Sequence, residues 1–327
     1  MTSVNVGILR RLAAGTLCAV FAAQSAAAQD VTVYRQACHA AAAATLDTDY
    51  FIAADDQRNT LRIYRRGQSD PVGTVDIWKF LGTKREHESD LQAAAALGDR
   101  IYWISSHARN SRGNVQPSRR RFFATDVRRG AGAPTVAPAG KPNVKLLVDL
   151  RGSPQTAAYK LREAGKLPPQ AEGGFSIEGL AASPDGKLLI GLRNPVPDNR
   201  ALAIPLLNPA AVIDGKKAEL GTPITLDLDR RGIRSIELVG SSYLLIAAAP
   251  TSNADFVFYR WSGKPDDKPT PVQRVNLRDL RLETVLAVPG TRNVQILSDD
   301  RDVPVDGKAC KDQPEAKRSF RSMTVTP

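Results

Sequence analysis

The chain has 327 residues, 42% of them hydrophobic, with 45 Lys and Arg against 34 Asp and Glu for a formal net charge of +11. That length and apolar share allow a large buried core, built either as one repeat domain or as two ordinary ones. The positive surplus favours anionic partners or simply serves solubility, while the 6% aromatic content is too sparse for a stacking platform and argues against nucleic acid.

At the N-terminus Arg10 and Arg11 precede an apolar run from Leu12 to Ala23, and Ala26-Ala27-Ala28 comes before Gln29. This is the layout of a signal peptide over residues 1–28, so the mature chain is expected to start near Gln29 and to be periplasmic or secreted. Leu17 before Cys18 is bulky where a lipid-anchor motif wants a small residue, and no later stretch approaches the roughly 20 apolar residues of a membrane span. Without Arg10 and Arg11 the basic residues number 45 − 2 = 43 against 34 acidic ones, a surplus of 9.

The mature chain opens with an extended segment, VTVYRQ, and then repeats a pattern of strand, tight turn, strand. The hairpins begin at Ala41, Asp90, Ser176, Ser235 and Leu282, each an apolar run, a Gly, Asp, Ser or Pro cluster, and a β-branched or aromatic run. A third strand follows each one, and LRIYRRG matches FVFYRWSG closely enough to count as internal repetition. Fourth strands are predicted at VGTVDI, VKLLVDL, PITLDL and PVQRVNL; the last unit lacks one, and VTVYRQ can supply it. These features predict an all-β β-propeller of four-stranded blades, five by count with six or seven left open, whose ring is closed by the N-terminal strand. The helical stretch at 153–170 reads as an insertion in a single domain over residues 29–327 and leaves the higher counts open. Cys38 follows the closing strand and Cys310 lies in the last blade, so ring closure predicts a disulfide bond between them in an oxidising compartment.

The segments DLQAAAALGDRIYWISSHARN, GFSIEGLAASPDGKLLIGLRNP, ALAIPLLNP, IRSIE, YRWSG and LSDD, with CKD and FRS near the end, resemble the bacterial domain-of-unknown-function family 3616. The resemblance runs from about Ala41 to Met323 and implies a propeller-like fold with no established reaction. Gln92 and Ala93 stand where that family's first full repeat carries Glu and Gly. A more distant likeness is to the esterase-like phytase propellers, which also place an acidic residue and Gly at the start of inner strands.

In a hairpin the start of the first strand and the end of the second share one edge. Glu178 therefore shares a face with Arg193 and Asn194; Gln92 joins His107, Arg109 and Asn110; Glu283 joins Asp299 and Asp300; and Glu237 starts the fourth hairpin at the matching point. Asp55, Asp56 and Arg58 stand at the corresponding strand end of the first blade. Glu178, Glu237 and Glu283 are the candidate metal ligands, with calcium the expected cation, and Arg109 and Arg193 would clamp anionic oxygens. His107, as acid or base, and Glu178 are the candidate catalytic residues. The competing reading is structural: each Glu pairs with an Arg or accepts N–H groups from the next blade. Three functions follow: binding of an anionic small molecule or envelope polymer, metal-dependent hydrolysis of a phosphoester or related ester, and a scaffold for protein partners, each in a monomer. KREHESD and SDDRDVPVDG gather acidic residues without a recognised ligand spacing, and no P-loop, dinucleotide fingerprint or paired-Cys zinc motif occurs.

Overall fold

Alternating apolar residues in short β-branched and aromatic runs pair into antiparallel sheets in the computed structural model, which describes residues 1–2, 31–55, 57–252, 255–272, 277 and 279–327. The expected signal peptide falls almost wholly outside the described residues, as does Asp56. The strands are β1 (Val31–Arg35), β2 (Ala43–Thr45), β3 (Tyr50–Asp55), β4 (Thr60–Arg65), β5 (Pro71–Asp76), β6 (Leu91–Leu97), β7 (Arg100–Ser105), β8 (Phe122–Arg128) and β9 (Thr135–Asn143). They continue as β10 (Ser176–Ala182), β11 (Leu188–Asn194), β12 (Ala201–Leu206), β13 (Ile224–Leu226), β14 (Gly232–Val239), β15 (Ser242–Ala248), β16 (Val257–Trp261) and β17 (Thr270–Pro271). β18 (Leu282–Ala287), β19 (Val294–Ser298), a short ribbon of β20 (Pro304–Val305) and β21 (Lys308–Ala309), and β22 (Ser319–Val325) complete the set.

Five four-stranded sheets result, in the orders β2-β3-β4-β5, β6-β7-β8-β9, β10-β11-β12-β13, β14-β15-β16-β17 and β18-β19-β22-β1. The five-bladed propeller is therefore the fold, and β1 pairs with β22 from Val31↔Met323 to Arg35↔Ser319, so the N-terminal strand closes the ring. Each of the five buried apolar clusters straddles the interface between consecutive blades. A blade is thus stable only with its neighbours, the physical reason that the ring must close. At the closing interface Tyr34 of β1 packs its ring 5.0 Å from Phe51 and 5.3 Å from Tyr64 of the first blade. Cys38 and Cys310 are disulfide-bonded with their Cα atoms 5.8 Å apart.

Glycines set the closest approach between the third and fourth blades. Gly179 and Gly191 pair across β10 and β11, and a Cβ at Gly191 would lie 2.7 Å from Cγ2 of Ile233 on β14.

The fourth strand of the second blade differs from expectation. VKLLVDL is not that strand; Leu146–Gly152 is a helix, α1, and the edge position belongs to β9, where Pro138 and Pro142 sit without cost because an edge strand has one unpaired side. Asn143 Oδ1 accepts the N–H groups of Lys145 and Leu146, both at 2.8 Å, and starts the helix. Leu146, Leu147 and Leu150 then face one side, the spacing of a helix rather than of an alternating strand. With α2 (Leu161–Ala164) they fill the cluster between the second and third blades, so the insertion begins earlier than 153 and is no additional blade. A third short helix, α3 (Pro209–Ile213), packs on the same cluster. Among the described residues no helix is long and apolar enough to cross a membrane.

Candidate functional site

Four of the inner strands carry a β-bulge near their first residues, at the breaks Leu91/Ala93, Ile177/Gly179, Ile233/Ser235 and Leu282/Thr284. A bulge turns one side chain out of the ladder, and the residues so turned are Gln92, Glu178, Arg234 and Glu283. The shared tripeptide Ser-Ile-Glu is misleading here. Ser176-Ile177-Glu178 ends on a bulge, whereas Ser235-Ile236-Glu237 begins just after one, so Arg234 and not Glu237 occupies the point equivalent to Glu178.

The bulged side chains form a chain of alternating charge across the mouth of the ring. Arg234 donates through Nη1 to Glu178 Oε2 at 2.6 Å and through Nη2 to Glu283 Oε2. Arg193 donates through Nη1 to the same Glu178 oxygen at 2.9 Å, and Ser176 Oγ donates to Glu178 Oε1 at 3.0 Å. Burial alone would raise the Glu178 pKa, but the two guanidinium groups outweigh it and hold the carboxyl at about 2. Glu283, 3% exposed, has its other oxygen 3.2 Å from His39 Nε2. Asp299 is held below the ordinary carboxylate range: burial opposes this, and His39, Arg301 and Arg234 overcome it.

Above this chain lies a cavity of about 330 Å³. Its lining includes Gln92, Asn110, Glu178 and Arg193 from the expected set, together with Arg234, Arg119 and Arg301. Arg119 is tied to Asp90 at 3.0 Å and to Glu88 at 2.7 Å. Asp90 also accepts from Gln92 Nε2 at 2.7 Å and from Ser106 Oγ. Pro168, Pro169 and Gln170 of the insertion form part of one wall. Further along the axis the free space shrinks to about 10 Å³ between Ala41, Ala43, Ala93, Leu180, Ile236 and Val285, about the least that one water requires. Ala43 and Ala93 of the first two inner strands line this narrow space, and the wider mouth forms a cup.

The other candidates have different surroundings. His107 is 2% exposed and does not line the cup; its Nδ1 faces the Ser105 carbonyl at 2.8 Å. Burial, joined by the positive charges of Arg120, Arg121 and Arg151, pulls its pKa down to about 4. Arg109 ties its loop to the insertion by donating to the carbonyls of Gly165 at 3.0 Å and Gly113 at 2.8 Å. Asn194 does the same through Nδ2, donating to Pro169 at 2.8 Å and Ala171 at 2.7 Å. Asp300 accepts from the backbone and guanidinium of Arg321, and its own N–H donates to the Cys38 carbonyl at 3.0 Å, next to the disulfide. Glu237 accepts the N–H of Ala287 in the fifth blade at 3.2 Å, as Ser235 Oγ accepts that of Val285. Burial pushes its pKa up to about 7.

Glu178, Glu237 and Glu283 do not converge on one point, because Glu237 lies three residues beyond the bulge and braces the next blade. A different trio does converge: ligand atoms of His39, Glu283 and Asp299 lie within 4.8 Å of one another. Its imidazole suits a borderline metal better than calcium, which takes 6–8 oxygens, and Arg234 and Arg301 on its two carboxylates oppose any cation. The set does not fit calcium. His39 and Arg234 were both missed in the sequence reading. Counting the strand back from the Gly240-Ser241 turn would have found Arg234, whereas His39 lies in the connection between blades and carries no repeat signal.

A family profile described as "Protein of unknown function (DUF3616)" matches residues 141–296. No curated protein matches the chain. Among solved structures, a GH43 β-1,3-galactosidase with galactodeoxynojirimycin is 10% identical with a TM-score of 0.49, covering 90% of this chain and 93% of its own. A luciferin-regenerating enzyme is 9% identical with a TM-score of 0.42, over 91% and 96%. The Myceliophteria thermophila Cps50 (Swd1) β-propeller domain is 9% identical with a TM-score of 0.41, over 91% and 100%. At such identities no activity passes from these proteins to this chain.

Proposed function

We propose that this propeller, whose matching family has no established activity, is an exported binding module that holds an anionic ligand in the cup at the mouth of its ring. The observation that carries the reading is the cup's composition. Four arginines, Arg119, Arg193, Arg234 and Arg301, face three carboxylates, Glu88, Asp90 and Glu178, and the amides of Gln92, Asn110 and Gln170 stand among them. The fixed charges hold one another in place, with Arg234 and Arg301 also paired to Glu283 and Asp299, so the cup offers an anion guanidinium and amide donors rather than a net positive charge, and a ligand need not pay to order it. Binding is favoured over hydrolysis by the state of the expected acid and base. Glu178 at a pKa of about 2 has no proton to give near neutrality, and His107 is buried away from the cup. The Cys38–Cys310 bond is compatible with a location outside the cytoplasm.

Calorimetric titration of the purified protein with galacturonate, glucose 6-phosphate and citrate, and with glucose as the neutral control, tests this reading. At least one anion binds, glucose does not, and Gln92→Ala with Asn110→Ala weakens the anion about tenfold, the loss of roughly 1.4 kcal/mol of polar contacts. Binding of glucose alone, or anion binding untouched by both changes, would overturn it. Turnover of a phosphoester panel that requires added metal and is abolished by Glu178→Gln would replace it with the hydrolase.

A further inference from the structure

The cup is not isolated. A second hollow of about 830 Å³ lies beside it, between the 82–88 loop and the 116–121 segment, and shares Glu88, Asn110 and Arg119 with the cup. A third, of about 460 Å³, shares Glu86 and Glu88 with the second and extends to the first and last blades at Gln57, Arg58, Arg85, Lys311 and Arg318. Glu88 lines all three, so the hollows adjoin in one trough that runs outward from the cup.

The trough's chemistry is mixed in a definite way. Its outer arm is lined by Arg58, Arg85, Lys311 and Arg318 against Glu86 and Glu88; Arg85 and Lys311 also pair with Asp76 at 3.5 Å and Asp302 at 2.6 Å behind the lining. Between the cations stand neutral hydrogen-bonding side chains: Gln57, Gln116 and Ser118 outside the cup, Gln92, Ser106 and Asn110 within it. Among the described residues no Phe, Tyr or Trp lines any of the three hollows, and the imidazole of His87 in the second is their one aromatic ring. A polymer with closely spaced charges and no hydroxyls along its chain, such as polyphosphate, would meet the carboxylates Glu86, Glu88 and Asp90 without compensation. A nucleic acid would find a single ring, His87, and no succession of rings on which to stack its bases. A chain with spaced carboxylates and many hydroxyls meets both requirements: cations take the carboxylates, while amides and the acidic side chains take the hydroxyls.

We infer that the trough seats a linear acidic polysaccharide, with one acidic residue in the cup and the following sugars along the outer arm. This rests on the reading of the cup as an anion site and names its ligand class. Each added sugar then contributes contacts without a new loss of translational freedom, so affinity grows with chain length.

The test is calorimetric titration with galacturonate, its dimer and its hexamer at low and moderate salt. The hexamer is expected to bind at least about tenfold more tightly than the monomer. That gain should shrink with added salt and vanish in the double variant Arg58→Glu, Arg85→Glu. Arg85 is 49% exposed in its side chain and its pair with Asp76, itself 46% exposed, is a surface one, so reversing it costs the fold little; monomer affinity should remain unchanged. Equal affinity for monomer and hexamer, or a length gain that survives the double variant, would overturn the trough while leaving the cup reading in place. Failure of every galacturonate form while glucose 6-phosphate or citrate binds overturns the polysaccharide alone. Failure of all anions overturns both readings. Polyphosphate or an oligodeoxynucleotide binding as tightly as the hexamer would overturn the choice of sugar.

Discussion

Replacing Arg234 by Met removes a side chain that joins the carboxylates of the third and fifth blades. Glu178 keeps Arg193 at 2.9 Å, so the cost falls mainly on Glu283, whose remaining partner is His39 at 3.2 Å and whose side chain is 2% exposed. Removing one partner of a buried ion pair costs about 3–5 kcal/mol, because the other charge stays desolvated. Denaturant unfolding at pH 7 should show that loss as a lower midpoint with an unchanged slope. Adding Glu283→Gln to Arg234→Met removes the stranded charge and should recover a large part of it. Arg234→Lys should recover little, since one ammonium cannot bridge two carboxylates as the guanidinium fork does. A loss under about 1 kcal/mol, or no recovery in the double variant, would refute the claim that alternating charge organises the mouth.

Acid should act through Glu178. Its folded pKa of about 2 lies below the unfolded value of 4.5, so its contribution is present above pH 4.5 and is lost as pH falls toward 2, by about 3 kcal/mol in all. Urea midpoints across that range should follow this fall, and Glu178→Gln should flatten it. Glu237 works in the opposite sense. Its folded pKa is raised to about 7, so the unfolded chain gives up its proton first and stability declines as pH rises from 4.5 to 7; part of the side chain meets solvent, so about 2 kcal/mol is expected. Glu237→Gln should abolish that decline, and a decline that persists in the variant would place its origin elsewhere. Replacing Cys38 and Cys310 together by Ser opens a closure spanning 272 residues and should lower stability by about 3–5 kcal/mol at pH 7, read as a drop in the unfolding midpoint.

The blades were legible because hairpins leave a period in the sequence, and the closing strand was legible because the last unit lacked one of its own. The Cys38–Cys310 bond followed from that closure. The helix Leu146–Gly152 was not legible as such, since its apolar residues also read as a strand and the proline-bearing segment before it did not; the Asn143 cap and the tolerance of an edge strand for Pro138 and Pro142 decide between them. At the mouth, position within a repeat gave Gln92, Glu178 and Glu283 correctly as equivalents. Glu237 was placed with them by an identical tripeptide, and only the bulges, which depend on pairing between strands, reveal Arg234 in its stead. Side chains such as Asn194 and Arg109 reach for loop carbonyls of the insertion, contacts between segments far apart in sequence that no single repeat encodes.

The most direct measurement is calorimetric titration of galacturonate into the wild-type protein and into the Gln92→Ala, Asn110→Ala variant. The cup, taken together with an acidic sugar as its ligand, predicts saturable binding to the first and about tenfold weaker binding to the second, with glucose inert toward both. Equal galacturonate affinity for the two proteins would contradict it.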